Sequence, residues 1–429
     1  MPLPLPKSRE EIETIQRQRL PIVVEKARQA PFHAERLAGI DTSKLGDPEK
    51  WREIPILDKE ELRVLSPEAF MTTFNMAARS EIMEFWRSGG STGKPLFYPR
   101  TFEDMKYMYL GFTRGIECMG LTAGDTAHVS FPLGIHPVGH MYARVCQHIG
   151  VGVNWAGSGA STPSAVQVQL IHDLKPTVWM GMSSYGLHLA NHAEAMGIDL
   201  ASSSVERIVC SAEPISAAKR AKLERSWGAK VYDSLGMTEC CLISSEDGED
   251  EGFRLWEDMF LTEVLDPDTL EPVDVGETGT LVVTPLWSNN ATPFIRWSTG
   301  DIVVNLGYGG TSTGPFSVFP RLKHAHRTAG FFKVRGVNIN HSEFEDFMFR
   351  YEAVQDFKAE IVTVDDLDRL RLSVELKRGA DSDRLTAELA NATKTTFEVN
   401  PEIVILDRGT LAVEFEGAVK APRFQDNRA

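Results

Sequence analysis

Arg87-Ser-Gly-Gly-Ser-Thr-Gly-Lys-Pro95 crowds three glycines, three hydroxyl side chains and a lysine into nine residues. Gly89, Gly90 and Gly93 free the backbone to turn its N–H groups toward an anion. Ser88, Ser91 and Thr92 add hydroxyl donors, and Lys94 adds a point charge. The spacing is not that of the P-loop, in which Ser or Thr follows the lysine; here Pro95 does. On its own the segment reads equally well as a Gly/Ser surface turn.

Around this stretch, from about residue 80 to 300, short apolar runs alternate with helical ones. The runs are Thr126–Phe131, Thr177–Met180, Arg207–Cys210 and Lys230–Tyr232. The helical patterns are Phe102–Met119, Ala165–Asp173, Ser184–Met196 and Ala217–Trp227. Such alternation predicts a layered α/β domain with largely parallel strands. After Trp256, runs at Phe260–Leu265, Gly279–Thr284 and Asp301–Val304 between turn residues predict a β subdomain, with 305–320 as a surface excursion. From Gly330 onward the pattern is strand, helix, two strands, helix and strand, an α+β unit of about 100 residues. The lead-in, 9–37, reads as helical with breaks at Pro21 and Pro31, and Asp58 caps a short helix at Lys59–Arg63. The expected division is a large domain over 1–328 and a small mobile α+β domain over 329–429.

Composition narrows the function. The chain has 429 residues, 45 Lys+Arg against 60 Asp+Glu, and a net charge of −15. With 42% hydrophobic and 24% charged residues it is not a disordered chain. The acidic balance gives no reason to expect a nucleic-acid or membrane partner. No run nears the roughly 18 apolar residues of a membrane helix. The start, Met1 to Lys7, lacks the basic and apolar regions of a secretory signal. Five cysteines, an odd number, suit a reducing cytosol. The expected location is the cytoplasm.

Two further segments carry chemistry. Val231-Tyr-Asp-Ser-Leu-Gly-Met-Thr-Glu239 runs a strand into Gly236 and sets Thr238 and Glu239 at its C-terminal end, where α/β sheets hold ligands. Thr238 could bond a phosphate and Glu239 could hold Mg²⁺, which prefers oxygen ligands. An N-cap threonine with a first-turn glutamate is the plainer explanation. Ser298-Thr-Gly-Asp301, followed by Arg327, offers a carboxylate for ribose hydroxyls with a cation nearby. Taken singly, both are ordinary turn and surface charges.

In this order and spacing the segments resemble the adenylate-forming (acyl-activating) superfamily, and within it the phenylacetate–CoA ligase-like branch. Similar strings recur at Arg17-Gln-Arg-Leu20, Pro55-Ile-Leu-Asp58-Lys-Glu-Glu-Leu62, Ser211-Ala-Glu-Pro214, Leu255-Trp-Glu-Asp258, Pro293-Phe-Ile-Arg296 and Lys333-Val-Arg-Gly-Val-Asn338. The resemblance implies ATP, Mg²⁺ and CoA. It implies that 88–95 closes over the β- and γ-phosphates. Ser211, Ala212, Glu213 and Pro214, with Asp233 and Leu235, would face the nucleotide, Ser211–Pro214 along the adenine edge. Thr238 would meet the α-phosphate, Glu239 the Mg²⁺, and Asp301 the ribose with Arg327. Lys420, in Val419-Lys-Ala-Pro-Arg423, aligns with the lysine that approaches carboxylate and α-phosphate during adenylation. A hinge is implied just before Phe331.

The chain departs from that pattern in several places. Leu235 stands where the family has an aromatic on adenine, Ala329 and Gly330 replace paired aspartates, and Val419 replaces a glycine. Only Cys240 and Cys241 remain of the branch's cysteine-rich segments, with Arg254 and acidic residues at the expected partner positions, so zinc is not expected there. By position the acyl pocket draws on Phe131, His136, Gly139, His140, Tyr185, Gly236 and Met237, which suits a planar ring. His136 and His140, four apart, could share a helical face and bond a ring substituent, or be structural. The expected function is ATP-dependent activation of an aryl or arylacetic acid followed by transfer to CoA. Transfer to an amine, carrier protein or other nucleophile, and a non-catalytic ligand-binding relative, are the alternatives; a homodimer is compatible with all three.

Overall fold

The computed structural model describes residues 3–87, 96–327, 331–334, 337–364, 367–416, 418 and 421–428, with the side chains of 326, 327 and 367 left aside. Contacts divide the chain into two compact units. The first holds Met1–Asp125, Leu133–Gly152 and Tyr232–Thr328; the second holds Thr126–Pro132, Val153–Val231 and Ala329–Ala429.

The strands begin with β1 (Ile82–Arg87), β2 (Phe97–Thr101), β3 (Thr126–Val129), β4 (Gly152–Trp155), β5 (Val178–Gly181) and β6 (Arg207–Ser211). They continue as β7 (Lys230–Met237), β8 (Cys241–Ser245), β9 (Phe253–Leu255), β10 (Phe260–Leu265), β11 (Thr278–Pro285), β12 (Trp297–Gly307) and β13 (Arg321–Arg327). The last are β14 (Phe331–Val334), β15 (Val337–Asn340), β16 (Val354–Val364), β17 (Leu367–Leu376), β18 (Pro401–Leu406) and β19 (Phe424–Asp426). The longer helices are α1 (Arg9–Ala27), α2 (Phe102–Cys118), α3 (Pro137–His148), α4 (Ser164–Leu174), α5 (Ser183–Met196) and α6 (Ala217–Trp227). Near the C-terminus come α7 (His341–Phe349), α8 (Ser382–Phe397) and the short α9 (Thr410–Phe415).

In the first unit the strands run β10-β11-β12-β13-β9-β8-β7, antiparallel throughout, beside a separate β1–β2 hairpin. Helix α2 lies on β8 because two glycines one turn apart clear its contact face. A Cβ on Gly111 would stand 2.8 Å from the Leu242 carbonyl oxygen, and one on Gly115 would stand 2.7 Å from Leu242 Cδ2. Thr101 and Asp104 form the capping box that starts α2. A buried two-point ion pair, Arg114 to Asp258 at 2.6 and 2.8 Å, ties its middle to the segment before β10. Pro21, expected to break the lead-in, sits inside α1. The helix runs on because Leu20, Val23, Val24 and Ala27 are buried on one side of it, and that packing outweighs the lost backbone hydrogen bond.

The parallel strands expected from the alternation lie in the second unit, in the order β6-β5-β3-β4, with β3, β5 and β6 pairing in parallel. All four residues of β5 are buried, as a strand covered on both faces requires. In the same unit the C-terminal region adds the sheet β18-β17-β16-β19 and the β14–β15 hairpin. Within it, Lys219 of α6 pairs with Glu345 of α7 at 3.1 Å, and Lys222 Nζ donates to the Val354 carbonyl at 2.8 Å. No helix among the described residues is long and apolar enough to cross a membrane.

Candidate active site

The β1–β2 hairpin brackets the glycine-rich segment. Arg87 pairs with Phe97 at the end of the hairpin, and the intervening 88–95 are outside the described residues. The stem below carries two alternate residues that reach the same place. Tyr98 donates its hydroxyl to Glu239 Oε1 at 3.2 Å. Arg100, fully buried, donates to the carbonyl oxygens of Thr238 and of Glu239 (2.9 Å for the latter) and to Thr292 Oγ1 at 2.6 Å. Burial pulls the Arg100 pKa down, opposed by Asp104, Cys241, Cys240 and Glu239, and a guanidinium keeps its proton even so. The cation also sits over the Trp86 ring at 5.2 Å.

Arg100 thereby fixes a tight turn. Strand β7 ends at Met237, residues 238–240 reverse the chain, and β8 starts at Cys241 with a left-handed φ of 75°. A Cβ on Gly236 would lie 2.8 Å from the Cys241 carbonyl oxygen, so only glycine lets the returning strand come this close. No helix begins at Thr238. The helix-cap explanation of Thr238–Glu239 fails because Cys241 bends the backbone into an antiparallel hairpin instead. Glu239 is buried, and its carboxylate is a hard oxygen donor of the kind Mg²⁺ accepts. Leu235 and Met237 pack partly buried against the core of this unit. Asp233 is buried, with Oδ1 accepting from Ser234 N at 2.8 Å, while Ser234 Oγ meets the Tyr142 hydroxyl at 2.6 Å.

Asp301 is buried on β12 directly opposite Arg327 on β13, so the strand register makes the two neighbours. Its Oδ1 lies 3.2 Å from His324 Nε2, a residue sequence reading overlooked. His136 is the extended residue ahead of α3, and Gly139 and His140 lie within that helix, so the two histidines do not share a helical face. His140 is engaged locally, its Nε2 at 2.8 Å from Gly134 N. Cys240 and Cys241 are buried thiols, and burial pushes Cys241 up to about 12. Near them in sequence, buried Arg254 pairs with Asp247 at 2.8 Å and with Asp250, whose Oδ1 accepts from Thr311 N at 2.7 Å.

The remaining predicted residues fall in the second unit. Ser211 ends β6, and Ala212 follows with φ 72°. Glu213 is spent on structure: it accepts from Ser183 Oγ at 2.6 Å, from Ser184 N and from Ser184 Oγ at 2.9 Å, which caps α5, and it faces Lys219 Nζ at 3.3 Å. Pro214 belongs to the loop that leads to α6. Phe131 is fully buried. The Tyr185 hydroxyl bonds Ser164 Oγ and Gln167 Nε2, both at 3.0 Å, and burial pushes it up to about 12. Lys420, Val419, Ala329, Gly330 and the Arg327 side chain lie outside the described residues.

What sequence reading missed most is Arg100. Two of its three partners among the described residues are main-chain oxygens 138 and 139 positions away, which no side-chain pattern encodes. The available signal was an arginine and a tyrosine alternating on the strand that leaves the glycine-rich segment.

Comparison with known proteins shows what the chain is similar to. Residues 44–285 match the family model of the AMP-binding enzymes. A phenylacetate–coenzyme A ligase of Thermus thermophilus is 30% identical over 377 residues, 86% of this chain and 82% of that protein. The phenylacetate–coenzyme A ligase of Escherichia coli K12 is 26% identical over 94% of this chain and 92% of its own. Among solved structures, 2-hydroxyisobutyryl-CoA ligase in its postadenylation state, in complex with R3-HIB-AMP, superposes with a TM-score of 0.84 at 23% identity. That match covers 98% of this chain and 90% of the other.

Proposed function

This chain belongs to the AMP-binding enzyme family, in the phenylacetate–CoA ligase-like branch, and we propose that it is an AMP-forming acid–CoA ligase acting on an aryl or arylacetic acid. The observation that carries this reading is the bolt through Arg100 and Tyr98, which joins the stem of the glycine-rich hairpin to the Thr238–Glu239 turn. A hydroxyl–carboxylate pair fixed to the strand that leaves the glycine-rich segment suits a polyphosphate chain with its cation.

In the first step a carboxylate oxygen attacks the α-phosphorus of ATP, the bond to the β-phosphate oxygen breaks, and pyrophosphate leaves. Both reactants are anions, so catalysis consists of positioning and of cations aimed at the developing charge. We assign 88–95, with Lys94, to the β- and γ-phosphates, Thr238 to the α-phosphate, Asp301 with Arg327 to the ribose, and Ser211–Pro214 to the adenine edge. Glu239 would hold Mg²⁺, which offsets the polyphosphate charge. Lys420 would supply its ammonium to the attacking carboxylate and α-phosphate. In the second step the CoA sulfur attacks the acyl carbon, AMP leaves with the oxygen of the broken C–O bond, and the thiol proton passes to solvent. Residues 329–429 are read as the portion that moves between the two steps, in a cytoplasmic enzyme.

The aromatic preference is supported by buried Phe131 and Tyr185 and by the phenylacetate specificity in the names of the relatives. Pyrophosphate release with a panel of aromatic carboxylates, each with and without CoA, tests the whole reading. Acid-dependent release and a CoA thioester are expected. Release without a thioester would redirect the acyl group to another acceptor, and no release with any acid would sink the proposal.

A further inference from the structure

Helix α5 carries His188 and His192 one turn apart, which puts both imidazoles on one face, ring centroids 4.6 Å apart. Glu416, just beyond α9, meets that face. Its Oε1 accepts from the backbone N–H of Ser164 at 2.7 Å. Its Oε2 is met by Ser164 Oγ at 2.6 Å and by His188 Nε2 at 2.8 Å, and lies 3.5 Å from His192 Nε2. A Cβ on Gly159 would stand 2.6 Å from the Glu416 backbone oxygen, so the loop before α4 also closes tightly over this point.

Hydrogen bonds account for Ser164 and for His188 Nε2, while His188 Nδ1 and, facing Glu416, His192 Nε2 are buried without one among the described residues. Folds rarely leave a buried nitrogen in that condition, and this one is directed at the oxygen its neighbour already holds. Two imidazole nitrogens and a carboxylate oxygen therefore lie within 4.8 Å of one another. Tetrahedral zinc, with ligand bonds of about 2.0–2.1 Å, keeps its ligand atoms roughly 3.3 Å apart. The observed 2.8 and 3.5 Å lie on either side of that spacing.

We propose that His188, His192 and Glu416 form a binding site for a zinc-class divalent cation. Two imidazoles with one carboxylate select zinc over magnesium or calcium, which take oxygen-rich sets. The Ser164 N–H keeps Oε1 occupied, which orients the carboxylate to offer Oε2 alone. Ser164 Oγ, held in turn by the Tyr185 hydroxyl at 3.0 Å, supports it from outside the ligand set. A cation here joins α5 to the segment that precedes Lys420. The site uses no cysteine, and its existence does not depend on the ligase reading.

Equilibrium dialysis of the chelator-stripped full chain against Zn²⁺, with elemental analysis, tests it. One zinc per chain is expected, with a zinc-dependent rise in Tm and a tetrahedral visible spectrum when Co²⁺ replaces it. His192→Gln, at a half-buried position that keeps the helix, should weaken binding by at least about 10-fold. Ser164→Ala should weaken it about 10- to 100-fold with every ligand retained. Cys240→Ser should change nothing. Absence of stoichiometric zinc, or unchanged zinc affinity in both His192→Gln and Glu416→Gln, overturns the site.

Discussion

The turn at Thr238–Glu239 and the corner at Ser211–Pro214 each follow the end of a strand, yet they are held in opposite ways. Arg100 grips the turn by its main-chain oxygens, and among the described residues the Glu239 carboxylate takes one hydroxyl, from Tyr98. The corner is held by a side chain, the Glu213 carboxylate, which is consumed in capping α5 and facing Lys219. Where the scaffold uses the backbone, the side chains stay available for chemistry. Where it uses a carboxylate, the same residue type is architecture, and any contact with a nucleotide falls to the backbone and to its neighbours.

Breaking the backbone grip gives the largest effect. Arg100→Ala strands three buried acceptors, the carbonyls of Thr238 and Glu239 and the Thr292 hydroxyl. At about 1–3 kcal/mol for each such group, the loss is about 3 kcal/mol or more. Urea unfolding should show a lower midpoint, and acid-dependent pyrophosphate exchange should vanish. Arg100→Lys keeps the charge but not the planar fork. It should fold, with exchange reduced about 10- to 100-fold through misplacement of the turn. Full exchange in the lysine variant would show that the turn needs no such grip.

Exchanging the two carboxylates for amides sharpens the contrast. Glu239→Gln should lower exchange about 100-fold, roughly 2.7 kcal/mol of barrier, while Tm moves little. Glu213→Gln should do the reverse: a loss of about 2 kcal/mol in stability, as α5 loses a charged cap beside buried Lys219, with KM for ATP nearly unchanged. If the two variants behaved alike, the division between held backbone and spent side chain would fail.

The same division explains how much could be read from the sequence. Periodicity located α2, α5, α6, β5 and β10 nearly to the residue, because burial on one face is written into local spacing. The helix-cap alternative at Thr238 could not be told from a turn by sequence, because a hydroxyl followed by a carboxylate serves both. What separates them is Cys241 in the left-handed region and the close approach at Gly236. Thr238, Glu239 and Asp301 could be picked out as motif residues. Arg100, His324 and Glu416 could not, since each acts on a partner that is adjacent only after folding.

A third carboxylate, itself buried, extends the comparison to pH. Glu213 has the Lys219 ammonium beside it, whereas among the described residues Glu257 is bonded by neutral donors, Thr262 and Gln16, with Asp258 adjacent. Burial therefore pushes Glu257 up to about 7 from 4.5, and the bonds from Thr262 and Gln16 only partly oppose the rise. A carboxyl whose folded pKa lies above its unfolded one favours folding most when both states are protonated. That advantage is lost as pH rises through the folded value. Between pH 5 and pH 7 the stability contributed by this group should fall by at most about 2 kcal/mol. Glu257→Gln, which cannot ionise, should flatten that part of the profile. Urea titrations of both proteins at pH 5, 6 and 7 measure the difference directly, and two parallel profiles would mean that the neutral donors hold the charge as well as an ammonium does.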